Sequence, residues 1–261
     1  MPSSNTKTEA LQKSGQVKIF KELFSSYRHK NYLTSWKRAY VKRIFHDMPP
    51  KKNGKFLDIG TGSGFMVIEA AKRGMNAVGL DISPEGVELC KTYARVALSP
   101  KDQKNVKFVV GDAENMKLPA NSFDRVCSIA LLEHLVHDKK VVADIGRLTK
   151  KGGIISICVP NTYERTAFFL KILNKRNDKH VGHLRHYKAE DLIAEFRKNS
   201  FELIDLTYHG HTCMMVNWII NMIWSEIPPI VDRFWWWIVD LDMRQKEKDN
   251  SMNFTITMRK I

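Results

Sequence analysis

The run LDIGTGSG at residues 57–64 constrains this chain more than any other feature, because it sets a glycine-rich turn directly between a short apolar strand and a helix. In Lys55-Phe56-Leu57-Asp58-Ile59 the apolar side chains suit a strand buried on both faces. Gly60, Gly62 and Gly64 then let the backbone turn tightly, and residues 65–73 continue as a helix. A turn of this kind allows a ligand to lie against bare backbone near a helix N-terminus. The next strand, 76–81, ends in Asp81, where a carboxylate can accept both hydroxyls of a ribose.

The spacing is GxGxG. A dinucleotide fold wants a further glycine where helix and strand pack closely, and that position is Phe65. Turn and strand-end acid together favour S-adenosylmethionine over NAD, whereas the glycines alone also fit an ordinary tight turn. The pattern continues in order: a helix over 84–97, a strand over 106–110, Gly111-Asp112-Ala113-Glu114, a lead LPANSFD at 118–124, a strand over 125–130 and LLEHL at 131–135. A helix over 139–149, the turn Lys151-Gly152-Gly153 and a strand over 154–159 follow, so strands and helices alternate as a parallel sheet requires.

On these motifs the chain resembles the class I S-adenosylmethionine-dependent methyltransferases, in the subgroup that includes the quinone-biosynthesis enzymes. The resemblance covers about residues 53–208 and resumes at 251–259. It implies an α/β, Rossmann-like, seven-stranded, mostly parallel sheet with the last strand antiparallel and helices on both faces. It also implies a cofactor site for S-adenosyl-L-methionine and its product S-adenosyl-L-homocysteine, built from Asp58, Gly60, Thr61, Gly62, Gly64, Asp81, Ile82, Asp112, Ala113 and Ile129. In that site Asp58 and the backbone near Ile129 and Ala130 hold the methionine end, and Asp112 with the following amide reads the adenine. Lys151 stands where the family turn usually has proline, a departure that concerns rigidity.

At 261 residues, one α/β domain over 53–261 with insertions at 160–187 and 209–250 is expected, after a tail (1–15) and a basic helical segment (16–52). The tail has no apolar core of a secretory signal and reads as disordered. Cys90, Cys127, Cys158 and Cys213 show no CxxC pairing and read as reduced core thiols, which suits a cytoplasmic setting. The formal net charge is +14, and residues 1–52 hold 12 Lys and Arg against 3 acids. Such a segment could meet RNA phosphates or an anionic membrane, or be a solvated helical face.

Extra sequence after a strand of an open parallel sheet tends to overhang the active site. The first insertion carries His180, His183, Arg185 and His186 in KHVGHLRHY. With no cysteine or acid at ligand spacing, no metal is expected; His183 and Arg185 read as substrate contacts and His186 as a candidate base. The second holds five of the six tryptophans, including Trp218, in two apolar helical stretches too short to span a bilayer. It reads as a lid over a lipophilic acceptor, with Trp218 touching substrate and possible peripheral contact with the membrane interface. A cap on the core or a dimer contact fits the same pattern.

A methyl donor that is already electrophilic asks the protein mainly for alignment and exclusion of water. Where the acceptor is a hydroxyl or carbon acid a base helps, and Glu133 and His134, just after the fourth strand, are the first candidates. Both also suit the start of a helix. The leading expectation is a methyltransferase for a small or lipid-like acceptor, such as a quinol or isoprenoid. RNA methylation is second, because 128–134 lacks the Pro-Pro-aromatic and Pro-Cys motifs of nucleic-acid enzymes and no separate RNA-binding module is visible. A non-catalytic binding protein on the same fold is third.

Overall fold

The computed structural model describes residues 14, 15, 17, 18, 21, 32–162, 178, 181–210, 237, 239–243 and 251–261. Helix α1 (Ser35–Asp47) precedes β1 (Lys55–Ile59), whose last four residues are buried. The glycine turn leads into α2 (Phe65–Lys72), then β2 (Asn76–Asp81). Helix α3 (Pro84–Ala97) starts where its sequence says it should: Pro84 occupies the first turn, and the Ser83 hydroxyl accepts from Gly86 N–H. A single turn, α4 (Pro100–Gln103), leads to β3 (Val106–Val110) and β4 (Phe123–Ile129). The remainder is α5 (Asp138–Leu148), β5 (Thr149–Pro160), α6 (Ala189–Lys198), β6 (Phe201–His209) and β7 (Asn253–Lys260).

The strands form one sheet in the order β3-β2-β1-β4-β5-β7-β6. Pairs among β1 to β5 are parallel, and β7 runs antiparallel to both β5 and β6. Alternation along the central strands feeds two cores. Leu57, Ile59, Val126, Ile155 and Ile157 face α5 and α6, while Phe56, Cys127, Ile154 and Cys158 face α1 and α2. Strand order reverses between β1 and β4, which opens a crevice beyond their carboxyl ends.

Most boundaries shift by one or two residues from the sequence expectation, and two departures are larger. Strand β5 begins at Thr149 rather than 154, and Lys150 to Gly153 bulge out of it: Phe123 pairs with Thr149, but Arg125 pairs with Ile154. Gly153 is required there, because a Cβ would sit 2.7 Å from Lys150 O. Asp124, opposite the bulge, receives Lys150 Nζ, Lys51 Nζ and the Lys55 amide. Lys150 of the bulge and Lys51, just before β1, therefore meet on one carboxylate.

The second concerns the insertion over 209–250. Residues 239–243 do not stand apart from the sheet: Val239 and Met243 are buried with α1, Asp242 accepts from Gly210 N–H, and Asp240 pairs with Lys42 at 2.9 Å. The tail over 1–13, Cys213, Trp218 and nearly all of the tryptophan-rich stretch lie outside the described residues. Among the described residues, no helix is long and apolar enough to cross a membrane.

Candidate functional site

A cavity of about 340 Å³ opens at the carboxyl ends of β1, β2 and β4. Of the expected cofactor residues, Asp58, Gly60, Thr61, Gly62, Asp81, Ile82, Asp112, Ala113 and Ile129 all line it. The turn is tied to β2 by the amides of Gly60 and Thr61, which both donate to Leu80 O. Gly60 has φ 71°, and a Cβ there would meet the Leu131 side chain at 3.0 Å, so bare backbone faces the cavity. Gly64 does not line the cavity. Its φ is 75° and a Cβ would strike Cys90 Sγ at 2.9 Å, which makes it the packing glycine that lets α2 start against α3. The three glycines thus divide between the cavity lining, Gly60 and Gly62, and helix packing, Gly64.

Three carboxylates surround this cradle. Asp81 accepts from Gly62 N–H at 2.8 Å and Ser83 N–H at 2.9 Å, so the acid is aimed by the turn it faces. Burial raises its pKa despite those bonds. Asp58 accepts from the Thr61 hydroxyl at 2.7 Å, and burial, helped by the Asp81 charge, pushes its carboxyl up to about 7. Asp112 caps a 3₁₀ turn at Ala113–Asn115 by accepting from Glu114 N–H. At the end of β4, Ala130 holds φ 51°, a left-handed backbone that a non-glycine residue adopts at a cost of order 1 kcal/mol. It lies in the cavity wall, beside Ile129.

Helix α1 supplies residues that sequence reasoning missed. Trp36, Lys37 and Tyr40 line the cavity, with Trp36 packed edge-on to Phe65 at 6.0 Å between centroids. Lys37 is only 2% exposed, donates to Ser63 Oγ at 2.8 Å, and is pushed down to about 8 by burial. Its spacing carried the signal: positions 37, 40, 41, 44 and 48 form one helical face, and all are buried. Lys37 is therefore not part of a solvated basic face. Arg43 is likewise largely buried between Asp47 and Asp205, whereas Lys42 and Lys51 pair with Asp240 and Asp124 while staying about half exposed.

The candidate catalytic residues divide. His134 lines the cavity, and burial, with His183 adding to it, pushes the imidazole down to about 4, so it is neutral at physiological pH. Glu133 lies behind it, fully buried, its carboxyl pushed up to about 8 by burial. His183, Arg185 and His186 are not among the cavity residues. Arg185 Nη1 lies 2.6 Å from Asp138, which fastens the returning insertion to α5. His186 has both ring nitrogens engaged, Nδ1 with Asn161 O and Nε2 with Asp178, each at 2.9 Å. Burial alone would lower its pKa, but these bonds and the Asp178 charge raise it, and the ring is held between two acceptors away from the cavity where a base was expected. The expectation that no acid accompanies these histidines is corrected: Asp178 reaches His183 and His186, and Glu133 approaches His183 from the sheet side. Cys158 also lines the cavity, but burial holds its thiol up at about 12, which leaves it inert.

The chain is similar to several known proteins. It is 35% identical over 114 residues to ajmaline N-methyltransferase of Rauvolfia serpentina, covering 43% of this chain and 38% of that one. It is 26% identical over 173 residues to the ubiquinone/menaquinone biosynthesis C-methyltransferase of Rickettsia akari, covering 62% and 67%. Its fold matches phosphoethanolamine N-methyltransferase 2 of Haemonchus contortus in complex with S-adenosyl-L-methionine, with a TM-score of 0.59 at 20% identity over 85% of this chain and 52% of that one. The chain spans under half the length of the plant enzyme. The methyltransferase domain family matches residues 50–233, most of the sequence. With the glycine turn, the strand-end acids and this strand order, the chain belongs to that family, the class I S-adenosylmethionine-dependent methyltransferases.

Proposed function

We propose that the protein transfers a methyl group from S-adenosyl-L-methionine to a small or lipid-like acceptor, leaving S-adenosyl-L-homocysteine. The observation that carries this reading is the cavity itself, a cradle of bare glycine backbone and three aspartates that continues into a wall of Trp36, Tyr40, Phe65, Leu131 and Leu135. The residues fit the cofactor. Asp81 has lone pairs beyond its two amide bonds for a ribose, and Asp112 with the Ala113 amide flanks an adenine. Asp58, raised by burial, gains most from a cationic ammonium, and Lys37, lowered by burial, from a carboxylate.

When bound, the cofactor supplies an electrophilic methyl on a sulfonium. The chain's residues then have three tasks: to hold both ends of the methionine through Asp58 and Lys37, to keep water out with the aromatic wall, and to orient the acceptor beside His134. An acceptor that reaches this wall must be narrow and largely apolar, which supports a quinol, isoprenoid or similar compound over RNA. The burial of Lys37 and Arg43 also takes two of the basic residues of the N-terminal segment away from any phosphate partner. Trp218 and its neighbours remain the proposed lid, and the proposed membrane contact is peripheral.

The test is transfer of radiolabelled methyl groups, with membrane extract and total RNA offered in separate reactions. Label that partitions into organic solvent supports the reading. Label that remains with RNA overturns the acceptor class, and cofactor binding without transfer to either favours the non-catalytic alternative.

A further inference from the structure

Glu133 is 0% exposed, and among the described residues neither of its carboxylate oxygens has a hydrogen-bond partner. A buried acid left without donors is a site where an ion or water is called for. Two imidazoles meet it there. His134 is its neighbour in the 3₁₀ turn after β4, and His183 is brought back by the insertion that follows β5, where Leu184 N–H donates to Glu133 O. The two rings stand edge to face with centroids 4.9 Å apart, and His183 Nε2 lies 3.9 Å from Glu133 Oε1. One ligand atom from each of the three residues falls within 4.8 Å of the others. The 3.9 Å contact is too long for a hydrogen bond, and a small contraction of the group suits nitrogen and oxygen donors each about 2.0–2.2 Å from one ion.

The outer nitrogens of both rings are held. His134 Nδ1 faces Gly182 O at 3.3 Å, and His183 Nδ1 faces Asp178 Oδ1 at 2.8 Å. Each acceptor draws the proton to Nδ1 and leaves the lone pair on Nε2, the arrangement by which carbonyls and carboxylates orient metal-binding histidines. We propose that Glu133, His134 and His183 bind a divalent transition-metal ion of the zinc type at the wall of the cavity. Two imidazoles and one carboxylate leave a coordination position for an oxygen of the acceptor, because His134 lines the cavity. His134 is then a ligand and not a base, and Asp178 is a positioning residue. Asp178, His183 and His186 make a second close group, but Asp178 already bridges both rings at 2.8 and 2.9 Å, so that group is closed by its own hydrogen bonds.

Tag-free protein stripped with chelator and titrated with zinc alone should take up one equivalent, and cobalt alone should give the visible absorption of a low-symmetry site. Glu133→Gln and His183→Asn should each weaken zinc binding at least ~100-fold, and Asp178→Asn about 10- to 100-fold. His186→Gln should leave it within about threefold. S-adenosylmethionine binding, measured on every variant, reports that the fold is intact and is independent of the ion. The proposal is overturned if the wild-type protein takes up no stoichiometric zinc, if the ligand variants bind zinc as the wild type does, or if binding follows His186 and not Glu133.

Discussion

In the proposed cofactor cradle, the charge state of Asp58 decides how well a cationic ligand is held. Its carboxyl is raised to about 7 in the folded protein, so it is largely protonated below that pH and largely ionised above it. An ammonium prefers the ionised form. Affinity for S-adenosyl-L-homocysteine should therefore fall as pH drops from 7.5 to 5.5, by roughly tenfold or more, and Asp58→Asn should remove that dependence. Titration calorimetry across the range checks it; a flat wild-type profile would contradict the assignment. Asp81→Asn should cost at least tenfold in affinity, since a charge-assisted bond is worth about 1.5–3 kcal/mol. Asparagine is preferable to alanine, because Asp81 also receives the Gly62 and Ser83 amides. Lys37→Met should lower affinity by a similar factor while leaving the melting temperature unchanged or raised, a burial cost having been removed. The aspartates were legible because their places are fixed by strand ends in the sequence. Lys37 was not, since a lysine in a basic stretch is read as solvated unless its helical face is traced.

Element by element, the strands and helices follow from local chemistry: apolar runs bounded by glycine, the Ser83 cap with Pro84 behind it, and the periodic buried face of α3 at Val87, Cys90, Tyr93 and Ala94. What local pattern could not give was pairing. The bulge in β5 exists because Thr149 and Ile154 pair with residues of β4 only two apart, and no window of sequence around Lys151 contains β4. Of the two acids near His183, Asp178 stands five residues away in the same stretch of sequence, whereas Glu133 was hidden for the same reason as the bulge: it lies 50 residues away and is brought close by contacts such as Leu184 N–H to Glu133 O. The start of α2 offers a direct check. Gly64→Ala should destabilise the protein by about 1–3 kcal/mol, because the new Cβ meets Cys90 Sγ at 2.9 Å and the backbone stays at φ 75°. Denaturant midpoints would measure this, and Cys90→Ala in the same background should return part of the loss, by making room for the methyl group.

For the molecule as a whole, the proposed peripheral membrane contact turns on charge and on the tryptophan-rich segment. The N-terminal excess of nine positive charges overstates what an anionic surface would meet, since Lys37 faces the cavity and Arg43 is buried against Asp205. Each remaining Lys or Arg near an anionic bilayer contributes about 1 kcal/mol, so the basic residues need the tryptophans of 213–237 for stable attachment. Binding to acidic liposomes should weaken with added salt, and tryptophan emission should move to the blue as rings leave water. The lid half of the proposal has its own test, and the structure sets its limits. A deletion must stop before Val239, because Val239 and Met243 belong to the core with α1 and Asp242 holds the Gly210 amide at the end of β6. Removing 213–236 and bridging the gap with a short flexible linker should therefore keep S-adenosylmethionine binding within about threefold, since the cradle residues of β1, β2 and β4 are untouched. The same variant should lose activity on a lipophilic acceptor. Full activity in the deletion would show that the acceptor needs no cover, while loss of cofactor binding would show that the segment supports the sheet and not the substrate.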